Sequence, residues 1–486
     1  MSALTSPTSL HPSNWNSEHQ ERPLLPLRFN PLLGNYKGRS TLASRLWTIC
    51  WVVVLMGTVL VLDRQLFRNL NEPHLLWDTN YHLTNAVVAR VCNMIPSSLN
   101  ATLPGLFPAK LCLKQLSQKN SLQKSYQPDS GHDFGTAMDR MMDQDRCDGL
   151  FPNLYKELDR AVEYHSSRGN ITIQHLDRAQ QYAHARVLIY RNRVYIKDFR
   201  GGPGLRTEAI LNSIQEAVIT SPELLPDIEF VLKTNDAPQG EDNAHPIWVL
   251  DRTKSQEQVW LMPDYGFYSW PEPKVGGMVE VRDKTAEREA TLTWATKISK
   301  AFWRGAILVT IREQLLEVSK GKSWSDIGPI VWQNLKGGLK TPEDHCNYKF
   351  LVHTEGYAYS GRLKYLLMCR SVTVGHEMQY IQHFHHLLDA RPHSPTQNIA
   401  IAEGPGFEGL PKLMEALLAD PGWAESIANN SYPLFRHYLS PAAVHCYWRQ
   451  MFRSWAKVQA FVPQRSPIDT PFESFNLMHT TDWAPH

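Results

Sequence analysis

The stretch Tyr348–Val374, YKFLVHTEGYAYSGRLKYLLMCRSVTV, constrains the fold more than any other part of the chain. Tyr348–His353 is an apolar and aromatic run of strand length, too short for a helix. Thr354–Gly361 then breaks the pattern with glycines and hydroxyl side chains, which is loop chemistry. Leu363, Leu366 and Leu367 recur at helical spacing, Ser360 is placed to cap the first turn, and Ser371–Val374 is β-branched again. Strand, glycine-containing loop, helix start and strand make half of a nucleotide-binding α/β unit. At such a helix start free backbone N–H groups favour an anion, Gly361 lets the backbone come close, and Arg362 adds a bidentate cation. Glu355, at the strand's end, is placed to accept hydrogen bonds from ribose hydroxyls. The competing reading is an ordinary crossover with Arg362 in a surface salt bridge.

These residues also carry a resemblance. EGYAYSGRLKYLLMCRSV closely resembles the signature of glycosyltransferase family 90, the capsule-associated and protein O-glucosyltransferase-like family. The likeness extends over MPDYGFYSWPEP (262–273), FWRGAILVTIRE (302–313) and SPTQNIAIAEG (394–404), and covers roughly Asp148 to Phe452. It implies a GT-B architecture, two facing Rossmann-like domains: an acceptor-side α/β domain over 148–279 and a nucleotide-sugar-binding domain with closing helices over 280–486. It implies an inverting transfer of xylose or glucose from a UDP-sugar donor. The wording of the motifs is closer to fungal members, which points to a cell-wall or capsular glycan acceptor. The alternatives are transfer to protein Ser or Thr, as in the animal branch, and an inactive glycan-binding member.

A chain of 486 residues accommodates two domains with extensions, and 42% hydrophobic residues suffice for a sizeable core. Lysine and arginine number 50 against 48 acidic residues, a net of +2, so no basic surface argues for nucleic acid. Residues 1–45 are rich in Pro, Ser, Asn and Leu without periodicity and read as a disordered tail. Leu46–Leu62 carries 17 residues without a charge, about 25 Å of helix. Lys37, Arg39 and Arg45 precede it, whereas Arg64 and Arg68 follow beside Asp63, which orients a single-pass type II anchor with a cytosolic tail. Residues 63–147 then read as a stem, and the bulk of the chain is expected in the lumen of the Golgi or endoplasmic reticulum. Sequons at Asn100, Asn170 and Asn429 and six of the seven cysteines fall after the anchor, which suits that side. The cysteines contain no CxxC pair and suggest disulfides rather than zinc.

Further elements are legible as patterns. Asn153–Tyr164 and Arg206–Thr220 read as helices, Arg186–Lys197 as a hairpin turning at Arg191–Arg193, and Ile228–Thr234, Ile247–Asp251 and Gln258–Met262 as strands. Glu280–Glu289 reads as a charged crossover between domains. Lys300–Ile307 and Val309–Ser319 give strand and helix, Ile330–Trp332 a strand, and Leu410–Leu418 and Ala442–Ala460 the closing helices.

Sugar transfer from a nucleotide donor requires a stabilised diphosphate leaving group, which arginines or a carboxylate-held metal provide. Arg304, Arg312 and Arg362 favour the first solution, with no metal or other cofactor. Asp143-Gln144-Asp145 reads as a solvated helix face and His383-Phe384-His385-His386 as a surface helix, both without a metal. A carboxylate must take the acceptor's proton. The resemblance places that base shortly after Arg193-Val194-Tyr195, at Asp198; Asp236, ending the next strand, is the competitor. Trp270 suits the apolar face of a sugar ring. Ala306-Ile307-Leu308 stands where the animal branch has Ser-Arg-Thr, so that branch's sugar preference does not carry over.

Overall fold

The computed structural model describes residues 134–236, 245–270, 275–330 and 340–478. The anchor at Leu46–Leu62, the cytosolic tail and most of the stem lie outside the described residues. No helix among the described residues is long and apolar enough to cross a membrane. The described residues belong to one compact unit, which is a mixed α/β body built on two sheets.

The first sheet holds β1 (Ala185–Tyr190), β2 (Arg193–Phe199), β3 (Ile228–Leu232), β4 (Trp248–Val249) and β5 (Trp260–Leu261). β1 and β2 form the expected hairpin. Its two turn residues, Arg191 and Asn192, have φ of 51° and 57°, the left-handed pair that matches the twist of a two-residue hairpin. β1 is antiparallel to both β2 and β3, whereas β3, β4 and β5 run parallel, so this sheet is mixed. A small antiparallel pair, β6 (Ser269–Trp270) and β7 (Gly276–Gly277), follows.

The second sheet is wholly parallel, in the order β12 (Ala400–Ile401), β11 (Val372–Gly375), β10 (Tyr348–Val352), β8 (Ile298–Gly305), β9 (Ser325–Pro329). Its central strands β10 and β11 are mostly buried because both faces are covered, whereas the edge strand β9 has no fully buried residue. Ala301, Phe350, Val352, Val372 and Val374 pack with residues of helices that include Leu315, Leu410 and Ile427. The expected strand at Ile330–Trp332 lies, apart from Ile330, outside the described residues; β9 ends just before it and carries an aspartate and a glycine.

In chain order the helices that matter are α1 (Lys156–Ser166), α2 (Arg206–Ile219), α3 (Met278–Ala290), α4 (Thr310–Ser319), α5 (Leu363–Leu366), α6 (Leu410–Ala419), α7 (Pro421–Tyr438) and α8 (Pro441–Val458). α3 replaces the crossover expected at Glu280–Glu289. Its charged residues are partly internal: Arg282 is 5% exposed, and Glu289 pairs with buried Lys297 at 2.6 Å.

α8 returns the chain to the first sheet. Ser440 caps it by accepting from Ala443 N–H, with Pro441 in the first turn. Trp455 packs edge-on against Trp248 and Trp260, with ring centroids 5.6 and 5.1 Å away, and Trp248 stacks on Phe230. The Trp448 indole donates to Ser213 and the Trp455 indole to the Glu229 carbonyl, so both bury their polar edge with a partner. The last strand, β13 (Thr470–Pro471), pairs with β2. Cys147–Cys446 ties the first described helices to α8, and Cys346–Cys369 ties the start of β10 to the turn after α5.

Candidate active site

The carboxyl ends of strands from both sheets converge. Beyond β4, Arg252 exchanges both backbone hydrogen bonds with Ile381, which follows β11. Beside this bridge lies a groove of about 830 Å³, lined by Thr253–Ser255, Ile311, His376–Gln379 and Gly404–Gly406. Ligands of α/β sheets sit at such strand ends.

Two of the quoted sequence blocks are one contact. Asp264 of the DYGFYSW segment forms a fully buried pair with Lys364, Nζ lying 2.9 Å from Oδ1 and 3.0 Å from Oδ2. Asp264 also accepts from the Gly266 N–H and the Gln382 amide, and Lys364 donates to the Gly361 carbonyl at 2.6 Å. This lock holds Trp270 over the 360–362 turn. A Cβ on Gly361 would lie 2.7 Å from the Trp270 ring, so the glycine admits the indole. Removing one partner of such a pair strands a buried charge. Lys364→Met is therefore expected to cost about 3–5 kcal/mol. Thermal melts of Lys364→Met and of the double variant with Asp264→Leu check this: the double variant recovers most of the loss if the stranded charge is the cause.

The three arginines differ in their partners. Arg304 is engaged: Nη2 lies 2.5 Å from Asp326 Oδ1, Nη1 donates to the carbonyls of Trp303 and Asp326, and Tyr348 hydroxyl holds the other aspartate oxygen. Arg312, on α4, donates to the carbonyls of Glu355 and Ala306, at 2.9 Å each, and has no carboxylate partner among the described residues. Arg362 makes no hydrogen bond or ion pair with any described side chain. Burial, then the charge of Arg312, pushes its guanidinium down to about 10. Burial also keeps His353, at the end of β10, neutral, reinforced by His376, His385, Arg362 and Arg312. Arg312 on α4 and Arg362 at the start of α5 are cations without a carboxylate partner among the described residues, and such guanidinia suit an anion.

The neighbouring expectations come out differently. α5 is a single turn with Arg362 as its N-cap, and Ser360 makes no side-chain cap bond, so the anion site rests on guanidinia and not on a helix dipole. Glu355 Oε1 accepts from the N–H groups of Gln379 and Tyr380, at 3.0 and 2.8 Å, and so fastens the loop beside the groove instead of standing free for a ribose. Burial raises its carboxyl to about 7 against those two donors. A carboxyl raised on folding favours the fold at low pH, completely below its ordinary value of 4.5, and loses that contribution as pH rises through 7. The melting midpoint of the wild type is thus expected to fall relative to Glu355→Gln between about pH 5 and pH 8. His383 is 2% exposed and kept neutral by burial, edge-on to Phe267 and Phe384 and tilted against Tyr447; His383 and Phe384 are interior, whereas His385 and His386 are half-buried and open a 3-10 turn, so the tetrad is not a surface helix. Asp143 caps the helix Gln144–Leu150 by accepting from Arg146 N–H.

Asp198 ends β2 with its side chain 31% exposed, and Asp236 follows β3 at 46%. Asp198 Oδ2 accepts from Gln180 Nε2 and Arg200 Nε, and Asp236 Oδ1 from Arg206 Nη1. The Gly201–Gly204 segment lies between them; a Cβ on Gly202 would strike Thr207, Thr234 and His184. The sequence reading overlooked a third carboxyl, Asp251, just past β4. It is fully buried and raised far above the ordinary carboxylate range by that burial and by Asp236, while the Tyr359 N–H lowers it and Glu355 and Asp264 raise it. Burial thus disfavours the ionised form that a base needs and closes the group off from an acceptor. Its only sequence signal was its place at the end of IWVLD.

The model of glycosyl transferase family 90 matches residues 143–473. The chain belongs to glycosyl transferase family 90, and it is a glycosyltransferase. It is 26% identical over 325 residues to O-glucosyltransferase rumi of Drosophila melanogaster, covering 62% of this chain and 76% of that protein. The rumi homolog of Aedes aegypti is 26% identical over 322 residues, covering 61% and 77%. Protein O-glucosyltransferase 1 of Homo sapiens is 25% identical over 266 residues, covering 50% and 66%.

Proposed function

We propose that the protein transfers glucose or xylose, with inversion, from a UDP-sugar to a serine or threonine hydroxyl of a protein in the secretory pathway. The observation that carries the nucleotide-sugar reading is the pair Arg312 and Arg362, cations without a carboxylate partner among the described residues, with Arg312 next in the chain to Ile311 of the groove's lining. The groove takes the nucleoside, the guanidinia take the diphosphate, and Trp270 packs on the sugar. The names of the relatives favour a protein acceptor over the glycan acceptor that the motif wording suggested. Family membership favours the GT-B arrangement, with the second sheet on the donor side.

Asp198 is the base in this reading, with Asp236 as the alternative. In the inverting step the carboxylate takes the acceptor's proton as its oxygen attacks the anomeric carbon. The bond to the UDP oxygen breaks, and the leaving electron pair goes to the diphosphate between the guanidinia. Thermal melts with UDP test the donor site. At about 100 times its Kd, UDP adds roughly 2.7 kcal/mol to the wild type. The double variant Arg312→Ala/Arg362→Ala is expected to gain nothing. Equal stabilisation of both proteins would remove the diphosphate reading.

A further inference from the structure

We infer that Gln180 is a positioning residue for Asp198, a role that rests on the glycosyl-transfer reading above and on Asp198 as its base. Gln180 opens the short turn Gln180–Tyr182 immediately before β1. Its amide is a relay with one donor side and one acceptor side. Oε1 accepts from Arg186 Nη1 at 2.6 Å, and Nε2 donates to Asp198 Oδ2 at 3.0 Å. Arg186 and Asp198 are also direct cross-strand partners in the β1–β2 ladder, next to a bulge at Arg186/Val187.

The relay is fixed from behind. Arg186 is 9% exposed, and its Nε donates to Glu229 Oε1 at 2.6 Å while Nη1 also reaches Asp177 at 2.7 Å. Glu229 is 2% exposed, and its second oxygen is held by Lys197 at 3.2 Å. An arginine offers donors alone and an ionised carboxylate acceptors alone. The Gln180 amide between them therefore has one satisfied orientation: oxygen toward Arg186, nitrogen toward Asp198. A flip would set donor against donor and acceptor against acceptor.

The consequence falls on Asp198. Gln180 and Arg200 both donate to Oδ2, at 3.0 and 2.9 Å. Oδ1 has no partner among the described residues and keeps its lone pairs for an acceptor hydroxyl. A carboxylate locked by one oxygen presents the other in a fixed direction, and a misplacement of about 1 Å at such a group costs on the order of 100-fold. Gln180 itself does not meet the acceptor; it acts through Asp198.

Gln180→Glu separates this role from simple packing. The glutamate keeps the side-chain length and the contact with Arg186 but has no hydrogen to donate to Asp198. The expected result is a fall in kcat of about 10- to 100-fold with the donor KM, UDP affinity and melting midpoint at wild-type values. If Gln180 only anchored Arg186, Gln180→Glu would turn over at the wild-type rate, and the inference would be overturned. Should Gln180→Glu melt early, Gln180→Met, which lacks the bond to Asp198 along with that to Arg186, carries the overturning arm: a wild-type kcat in the folded Gln180→Met protein removes the positioning role. Asp198→Asn measured alongside distinguishes the two ways to fail. An active Asp198→Asn enzyme removes the base assignment and this inference with it. An inactive one beside fully active Gln180 variants removes the positioning role alone.

Discussion

Asp198→Asn is expected to lower turnover by about 10²–10⁴-fold, the range for removing a general base. The substitution keeps the side chain's shape and its contacts with Gln180 and Arg200 within reach but replaces a proton acceptor by an amide. UDP affinity should stay at the wild-type level, because the base meets the acceptor and not the diphosphate. Asp236→Asn is the paired measurement. Asp236 is paired with Arg206, whose guanidinium lies 4.9 Å over the Tyr265 ring, so this variant probes the same cleft wall. If Asp236→Asn abolishes turnover and Asp198→Asn does not, the proton leaves at the neighbouring strand end. Asp251 and Glu355 are poor competitors for physical reasons: the first is sealed where burial disfavours its charged form, the second spends its oxygens on backbone N–H groups.

Arg362→Ala is expected to lose about 2–4 kcal/mol of transition-state stabilisation, roughly 30- to 1000-fold in kcat/KM. The charge on the leaving diphosphate grows as the glycosidic bond breaks, so a preorganised guanidinium acts most strongly at that point. The fold should survive, since Arg362 is bonded to no described side chain. Arg304→Ala provides the contrast. It breaks the pair with Asp326 and the bond network with Tyr348, so its effect should appear in the melting midpoint before it appears in turnover. Wild-type activity in Arg362→Ala, measured by UDP release with the folded protein confirmed by melting, would remove that arginine from the diphosphate site.

Arg304, Arg312 and Arg362 are alike as letters, and the sequence ranked them by motif alone. What separates them is distance: Asp326 stands 22 residues from Arg304 and folds onto it through β8–β9 pairing, whereas no acid among the described residues pairs with Arg362. The Asp264–Lys364 lock spans 100 residues for the same reason, although both partners lie in quoted blocks. Elements with a local signature were legible. The β1–β2 hairpin carries its turn at Arg191-Asn192, and β10 and β11 are apolar runs of strand length. α3 was missed because its buried face includes Arg282 and Glu289, which read as solvent-facing, and α7 because Pro433 lies inside it and reads as a breaker. His383 was misplaced because a histidine run gives no sign of the three aromatic rings that enclose it.

The order in which the parts are made sets a further condition. β1 to β5 are complete by Leu261, but α8, whose Trp448 and Trp455 close over Trp248, begins at Pro441, about 180 residues later. At a synthesis rate of about 5–20 residues per second, that sheet waits roughly ten to forty seconds with its tryptophan face uncovered. Cys147 waits longer still, about fifteen to sixty seconds, for Cys446, 299 residues on. A nascent chain in this state presents an open sheet and a free thiol together, so its yield in a cell depends on holding chaperones and on the timing of oxidation as much as on the stability of the finished fold.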